Sequence, residues 1–489
     1  MSRAGSAPLS TSNAQKRNSL RMTTNHIRQK LLEFGPWIAS PMVHQSELTF
    51  RLLCRRYNVG LASTPMLNAK VFACTPEYRN LEYQTHKDDH PLIAQLAGPE
   101  PKDMLASSKY LTSKNCSVID LNFGCPQAIA RRGNYGAFLL HDIPRIKSLV
   151  QVLRSNTNVP VSCKIRLLDT KEETLDVAHA LVDAGCQMLT VHGRTRHQNK
   201  QRSGSSSWQA VRAVASALRK EDVVIVSNGG VASLSEAQDC MQYTGADGVM
   251  SAEGLLCNPS LFYDITRDVD PIVQAFVKRV QAAAAAAAAA RHDNEENVKK
   301  KHQCCTLFTC LLEMRQLGLA QEYMTLARLH CDNYLKPVRS HLFKLCHVSL
   351  SLSENNDVRG TFAQARTFAA MELAVNTLEQ RALHGMQREL HDISGRRSLP
   401  FESSVVVEEA IEWVSHHEEK RKSEQNENEE YSARYRVAAI AALEHYFGVS
   451  GMHADDDYSS ANMSNLWYSR HPREECPGGG GRRIEEVCW

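Results

Sequence analysis

The residues with the plainest chemical potential are a thiol and a set of polar side chains that each follow a short apolar run. Asn122-Phe123-Gly124-Cys125-Pro126 sets a cysteine on a tight turn, because glycine permits unusual dihedrals and proline fixes its own. Such a thiol can hold or release a proton. Lys164 and His192 close two other runs, and a lysine there can offset negative charge on a bound anion. His192 can act as a donor, an acceptor or a satisfied structural residue. Gln95, Asn122 and Asn228 end three more runs, and Asn228-Gly229-Gly230 and Ala252-Glu253-Gly254 follow the last two.

The elements that must position these groups are short β-branched runs at 37–40, 59–62, 92–96, 118–122, 161–164, 188–192, 223–228 and 248–252, alternating with helical stretches. Eight such runs predict an α/β TIM (β/α)8 barrel over 34–265, whose chemistry gathers at the carboxyl ends of the strands. The polar run-ends then converge on one rim. An all-helical domain is expected at 303–390, where 307–319 and 362–383 carry apolar residues at helical spacing. Between them, 266–302 reads as a linker built around the alanine run 282–290, and 391–489 as an extension, partly helical and then disordered.

The chain of 489 residues has a net charge of +3, so a nucleic-acid surface must be a local patch. Its 15 cysteines, scattered and odd in number, predict reduced thiols and no metal site. No apolar run approaches the roughly 20 residues that cross a bilayer, so no membrane association is expected. Residues 1–32 hold Arg3, Lys16, Arg17, Arg21, Arg28 and Lys30 without an acid, and 1–33 reads as a disordered basic tail. A cytoplasmic or nuclear location is expected ahead of a mitochondrial presequence.

The segment NFGCPQAIARRGNYGAFL at 122–139, with SCKIRL at 162–167, LTVHGRTR at 189–196 and GADGVMSAEGLLCNPSLF at 245–262, resembles the tRNA-dihydrouridine synthases. The resemblance runs over 36–262 and returns at 337–344. Within the family it is similar to the eukaryotic class that acts on the D-loop uridines at tRNA positions 16 and 17. It implies a barrel enzyme with tightly bound FMN, reduced by NADPH or NADH, that adds a hydride to carbon 6 of uracil while Cys125 protonates carbon 5. It also implies that Pro41, Met42 and Val43 line the flavin ring and that Gln95 bonds its polar edge.

The rest of the site follows from those parts. Lys164 and His192 complete the cofactor set, and Asn228, Gly229, Gly230, Ala252 and Glu253 stand where barrel loops hold a phosphate. Asn122, Arg131, Arg132, Arg166 and Arg194 are candidates for the uracil edge and nucleotide phosphates. A uridine in folded tRNA must leave its stack to reach a barrel floor, so a second surface has to grip the RNA. Lys336, Arg339, His341 and Lys344, around the helix start at Pro337, are expected to form it. Cationic neighbours lower the Cys125 thiol pKa and desolvation raises it, and the residues leave that balance open. Departures from the family pattern fall at His44, where an Asp is expected, at 95–100 and at Gly230.

Two other functions fit part of this pattern. A dihydroorotate dehydrogenase-like barrel acting on a free pyrimidine would share the flavin but need no helical domain. A non-catalytic RNA-binding protein would not need Cys125, Lys164 and His192 together. A monomer with tRNA and NAD(P)H as partners is the expected form.

Overall fold

A computed structural model describes residues 13–114, 116–198, 205–263, 297–331 and 335–394. They fall into two compact units, the first ending at Phe262 apart from Leu256–Pro259.

The first unit is the expected barrel. Its strands are β1 (Trp37–Ala39), β2 (Leu61–Ser63), β3 (Leu67–Asn68), β4 (Leu92–Ala97), β5 (Val118–Phe123), β6 (Val161–Leu167), β7 (Met188–Thr195), β8 (Val224–Asn228) and β9 (Gly248–Ser251). All neighbours are parallel; β1 pairs with both β2 and β9, and β2 pairs with β4, which closes a ring of eight strands. The ninth strand, β3, is a two-residue addition beside the end of β4, too short to leave a pattern in the sequence.

These segments are strands because they are apolar on both faces, as a sheet covered by helices requires. Every residue of β4 and β8 is buried. The connecting helices carry their own start signals. Thr170 and Glu173 form a reciprocal cap on helix Lys171–Asp183, and Ser207 and Ser233 cap the helices that lead to β8 and β9. The main core lies between strands and helices, with Leu96, Leu121, Ile165 and Val191 packed against Leu149, Leu181 and Val211.

The basic tail expected to be disordered is corrected over 13–34, which form the helix Asn13–Phe34. Ile27 and Leu31, one turn apart, join Ile38, Leu61, Ile93, Val118, Met188 and Val224, residues near the starts of six strands. The helix therefore lies across the amino ends and stoppers the barrel floor. Arg28 holds it there through Asp222 at 2.6 Å, and Thr24 donates to the Asp222 carbonyl at 3.2 Å.

The second unit consists of the helices Asn297–His330, Leu335–Leu345, His347–Ser351, Asn356–Gln364 and Phe368–Ser394. Tyr323, Val338, Leu342, Phe362 and Leu378 are fully buried or nearly so. The linker over 266–296 and the extension over 395–489 lie outside the described residues. Among the described residues, no helix is long and apolar enough to cross a membrane.

Candidate active site at the carboxyl rim of the barrel

Strand register brings the polar run-ends together. Gln95 on β4 pairs with Asp120 on β5, and Asn122 pairs with Lys164 on β6. Arg166 pairs with His192 on β7, which pairs with Asn228 on β8. All lie toward the carboxyl ends of parallel strands, on one rim.

Cys125 begins where β5 ends. Asn122 Oδ1 accepts from the backbone N–H groups of Gly124 and Cys125 at 3.2 and 3.0 Å, a side chain imitating a backbone turn. Gly136, at φ +67°, backs this turn; a Cβ there would come within 2.6 Å of the Cys125 carbonyl oxygen. The thiol is half-buried, and burial pushes its pKa up against the opposing pull of the Gln127 N–H, Arg166 and Lys164. Desolvation thus wins the balance that the residues left open, and Cys125 stays protonated at neutral pH.

Around it the charge is mostly positive. Burial, then Arg166, bring Lys164 down to about 8, while Asp120 and Cys125 oppose the shift. His192 is driven far below its ordinary value by burial and by Lys164, Arg166 and Arg194, so its imidazole is neutral. Its Nε2 is buried without a hydrogen-bond partner, and so is Ser206 Oγ. Both face one glycine: a Cβ on Gly229 would stand 2.7 Å from Ser206 Oγ and 2.9 Å from His192 Nε2. Gly229 and Gly230 have φ of +103° and +75°, and Asn228 ties their loop to β9 through the Met250 carbonyl at 2.8 Å. Two unpartnered polar atoms, a glycine cradle and three nearby cations suit an anionic group of a bound cofactor.

The remaining expected contacts divide. Pro41 and Met42 are partly buried and Val43 is 40 % exposed; their loop is held by Ser46 Oγ, which accepts from Met42 N–H at 3.0 Å. Ala252 and the exposed Glu253 open only a five-residue helix, and the charge of Glu253 acts on Arg194. Arg131 and Arg132 are exposed on the short helix Ala128–Arg132 beside the cysteine turn.

Two residues assigned to substrate also hold the cysteine turn. Arg166 donates to the carbonyls of Gly124, Thr195 and Gln198 at 2.8, 2.9 and 3.1 Å, clamping the turn to the end of β7. Asn122 is committed to the turn and, through Nδ2, to Gln95 Oε1 at 2.8 Å.

The basic surface expected on helix Leu335–Leu345 is smaller than its sequence suggests. Lys336 is exposed and Arg339 half-buried, but Lys344 is buried and His341 packs on Tyr323 with ring centroids 5.0 Å apart. Positions 338, 341, 342 and 345 share one helical face, so the apolar packing of Val338, Leu342 and Leu345 carries His341 inward.

Several supporting residues lie outside the polar run-ends that the sequence singles out. Asp120 is buried and accepts from Gln95 Nε2 at 2.8 Å and Ser162 Oγ at 2.6 Å; burial raises its carboxyl to about 6. Arg51 and Arg55 both reach the buried Asp89, at 2.7 and 3.0 Å, and Arg51 also donates to the Ser46 carbonyl at 2.6 Å beneath the Met42 loop. Their signal was present in LTFRLLCRR, where two arginines four residues apart share a face with buried leucines.

A family model described as dihydrouridine synthase (Dus) matches residues 37–385. A tRNA-dihydrouridine(16/17) synthase, NAD(P)(+), of Saccharomyces cerevisiae is 43% identical over 228 residues, 46% of this chain and 53% of that protein. A protein of Mus musculus named as like the same synthase is 34% identical over 366 residues, 74% of this chain and 66% of its own. The Schizosaccharomyces pombe synthase is 32% identical over 355 residues, 71% of this chain and 78% of its own. The chain thus covers about half the length of the first of these relatives and just under two thirds of the second.

Proposed function

Because the chain belongs to the dihydrouridine synthase family, we propose that it reduces the 5,6 double bond of uracil in tRNA, with NAD(P)H as electron source and FMN as bound cofactor. One observation carries the reading: a protonated Cys125 stands on the same rim as Gln95, Lys164, His192 and the Gly229 cradle. A bound flavin supplies the hydride that no side chain can.

The protein's own groups do the rest. Gly229, Gly230, Ser206 and neutral His192 hold the cofactor's phosphate end, and Lys164 offsets its negative charge. Pro41, Met42 and Val43 cover the ring, and Gln95 meets its polar edge. Cys125 gives its proton to carbon 5 of the base and becomes a thiolate, which Lys164 and Arg166 stabilise until it is reprotonated.

The uridine is flipped into this mouth, and its neighbours are held by Arg131, Arg132 and Arg194, with Lys336 and Arg339 of the helical unit binding phosphates further along the RNA. The names of the relatives favour positions 16 and 17 as targets. We place the protein in the cytoplasm or nucleus, as a monomer.

The test is to incubate the purified protein with NADPH and unmodified tRNA and to map dihydrouridine by mass spectrometry. Product at positions 16 and 17 is expected, and Cys125→Ala should keep flavin while losing about 100-fold or more of the rate. A colourless preparation, no dihydrouridine, or undiminished turnover in Cys125→Ala would overturn the reading.

A further inference from the structure

Asp120 and Asn122 stand two residues apart on β5, so both side chains face the barrel interior, with Gln95 of β4 opposite. The hydrogen bonds among them form one line. Gln95 Nε2 donates to Asp120 Oδ2, Asn122 Nδ2 donates to Gln95 Oε1, and Gly124 and Cys125 N–H donate to Asn122 Oδ1. Its two ends are of fixed kind. A carboxylate only accepts and a backbone N–H only donates. The two amides between them can each turn over, giving four combinations, and only one avoids setting donor against donor or acceptor against acceptor.

We propose that Asp120 is a positioning residue whose acceptor-only carboxylate sets the direction of this line, and thereby fixes the turn that carries Cys125 and the face that Gln95 presents to the barrel mouth. Ser162 holds the carboxylate from its other side, so Asp120 cannot swing away to relieve a mismatch. With the direction set, Gln95 retains one N–H and one lone pair for a ligand, in a fixed order. The importance of the turn rests on the proposed function; the direction of the line does not.

The prediction is a pattern across three variants. Asp120→Asn can keep an oxygen toward Gln95 Nε2 and give its nitrogen to Ser162 Oγ, a hydroxyl that accepts as well as donates, whereas Asn122→Asp sets a carboxylate oxygen against Gln95 Oε1. With Asp120 ionised, Asn122→Asp leaves one contact that no orientation satisfies. Making both changes at once restores complementarity, because Gln95 turns over, accepts from the new amide and donates to the new carboxylate, whose other oxygen still receives the turn. The readout is iodoacetamide labelling of Cys125 in the purified holoprotein, resolved by peptide mass spectrometry from the rest of the 15 cysteines.

Asn122→Asp should label about fivefold faster or more, the scale of one lost hydrogen bond, and Asp120→Asn like wild type. The double variant should return to the wild-type rate or below it. Where Asn122→Asp does not fold, recovery of soluble protein by the double variant supports the proposal equally. A double variant that labels as fast as Asn122→Asp, or is as insoluble, overturns the proposal, as does an Asn122→Asp variant that labels like wild type. Flavin affinity on the same proteins separates this from the functional reading. The double variant presents a reversed Gln95 and should bind flavin about tenfold more weakly; unchanged affinity would refute the ring contact of Gln95 while leaving the turn result in place.

Discussion

Replacing Gly229 with alanine tests the cradle with a single added carbon. The backbone there has φ +103°, and holding a side chain in that region costs about 1–3 kcal/mol. The new Cβ would stand 2.7 Å from His192 Cδ2 and 2.7 Å from Ser206 Oγ, closer than such contacts allow. Relieving that overlap costs about 1–3 kcal/mol more. The sum, about 2–6 kcal/mol, is within the stability of about 5–15 kcal/mol of a folded domain, so the variant should fold with His192 displaced. Urea denaturation followed by tryptophan fluorescence reads the loss, and Trp208, whose Nε1 donates to the Gly229 carbonyl at 3.3 Å, is one of the five reporters. The same substitution at Gly360, inside helix Asn356–Gln364 with nothing within 4 Å of the new carbon, should gain about 0.5–1 kcal/mol instead. A loss below about 1 kcal/mol at Gly229, with flavin affinity unchanged, would refute the cradle.

Lys164→Met should stabilise the barrel by about 1–3 kcal/mol at pH 7 by removing a buried charge, while weakening flavin binding. Folded Lys164 titrates at about 8 against an ordinary 10.5, so the charge-burial penalty is complete below the first value and gone above the second. The advantage of methionine must therefore fade between those pH values, and a gain that persists undiminished at the upper one contradicts the assignment. Asp89→Ala leaves two buried guanidinium groups without their carboxylate and should cost about 3–5 kcal/mol in chemical denaturation; a cost under about 1 would show that the pair does not hold the Met42 loop. Ile27→Ala removes a fully buried side chain from the barrel floor and should cost about 2–5 kcal/mol, whereas an unaffected midpoint would mean that the helix is not part of the folded unit.

All eight strands of the ring were legible because a covered parallel sheet demands short apolar runs rich in β-branched residues, and these recur between helical stretches. The polar run-ends were legible for a related reason: Lys164 and His192 close the stretches 161–163 and 188–191, which hold no charged residue. What stayed hidden was decided by partners remote in sequence. The helix Asn13–Phe34 shows few apolar residues, and the pair that anchors it, Ile27 and Leu31, gains meaning only from the strand starts it covers. His341 and Lys344 read as surface by residue type, yet helical spacing sets them beside Val338 and Leu345 on the packed face. Arg166 and Asn122 stand out as substrate ligands because long polar side chains at a rim often are; only the positions of the Gly124 carbonyl and the Cys125 amide reveal that they also hold the turn.

The stoppered floor has a kinetic consequence. With Ile27 and Leu31 covering the amino end of a barrel whose interior is packed, the rim residues open, among the described residues, at the carboxyl end. Under the proposed function a folded RNA and a nicotinamide dinucleotide must both use it, and they compete for the same opening. Turnover then proceeds in two strokes, the oxidised dinucleotide departing before the polynucleotide docks, and a surplus of either visitor slows the other.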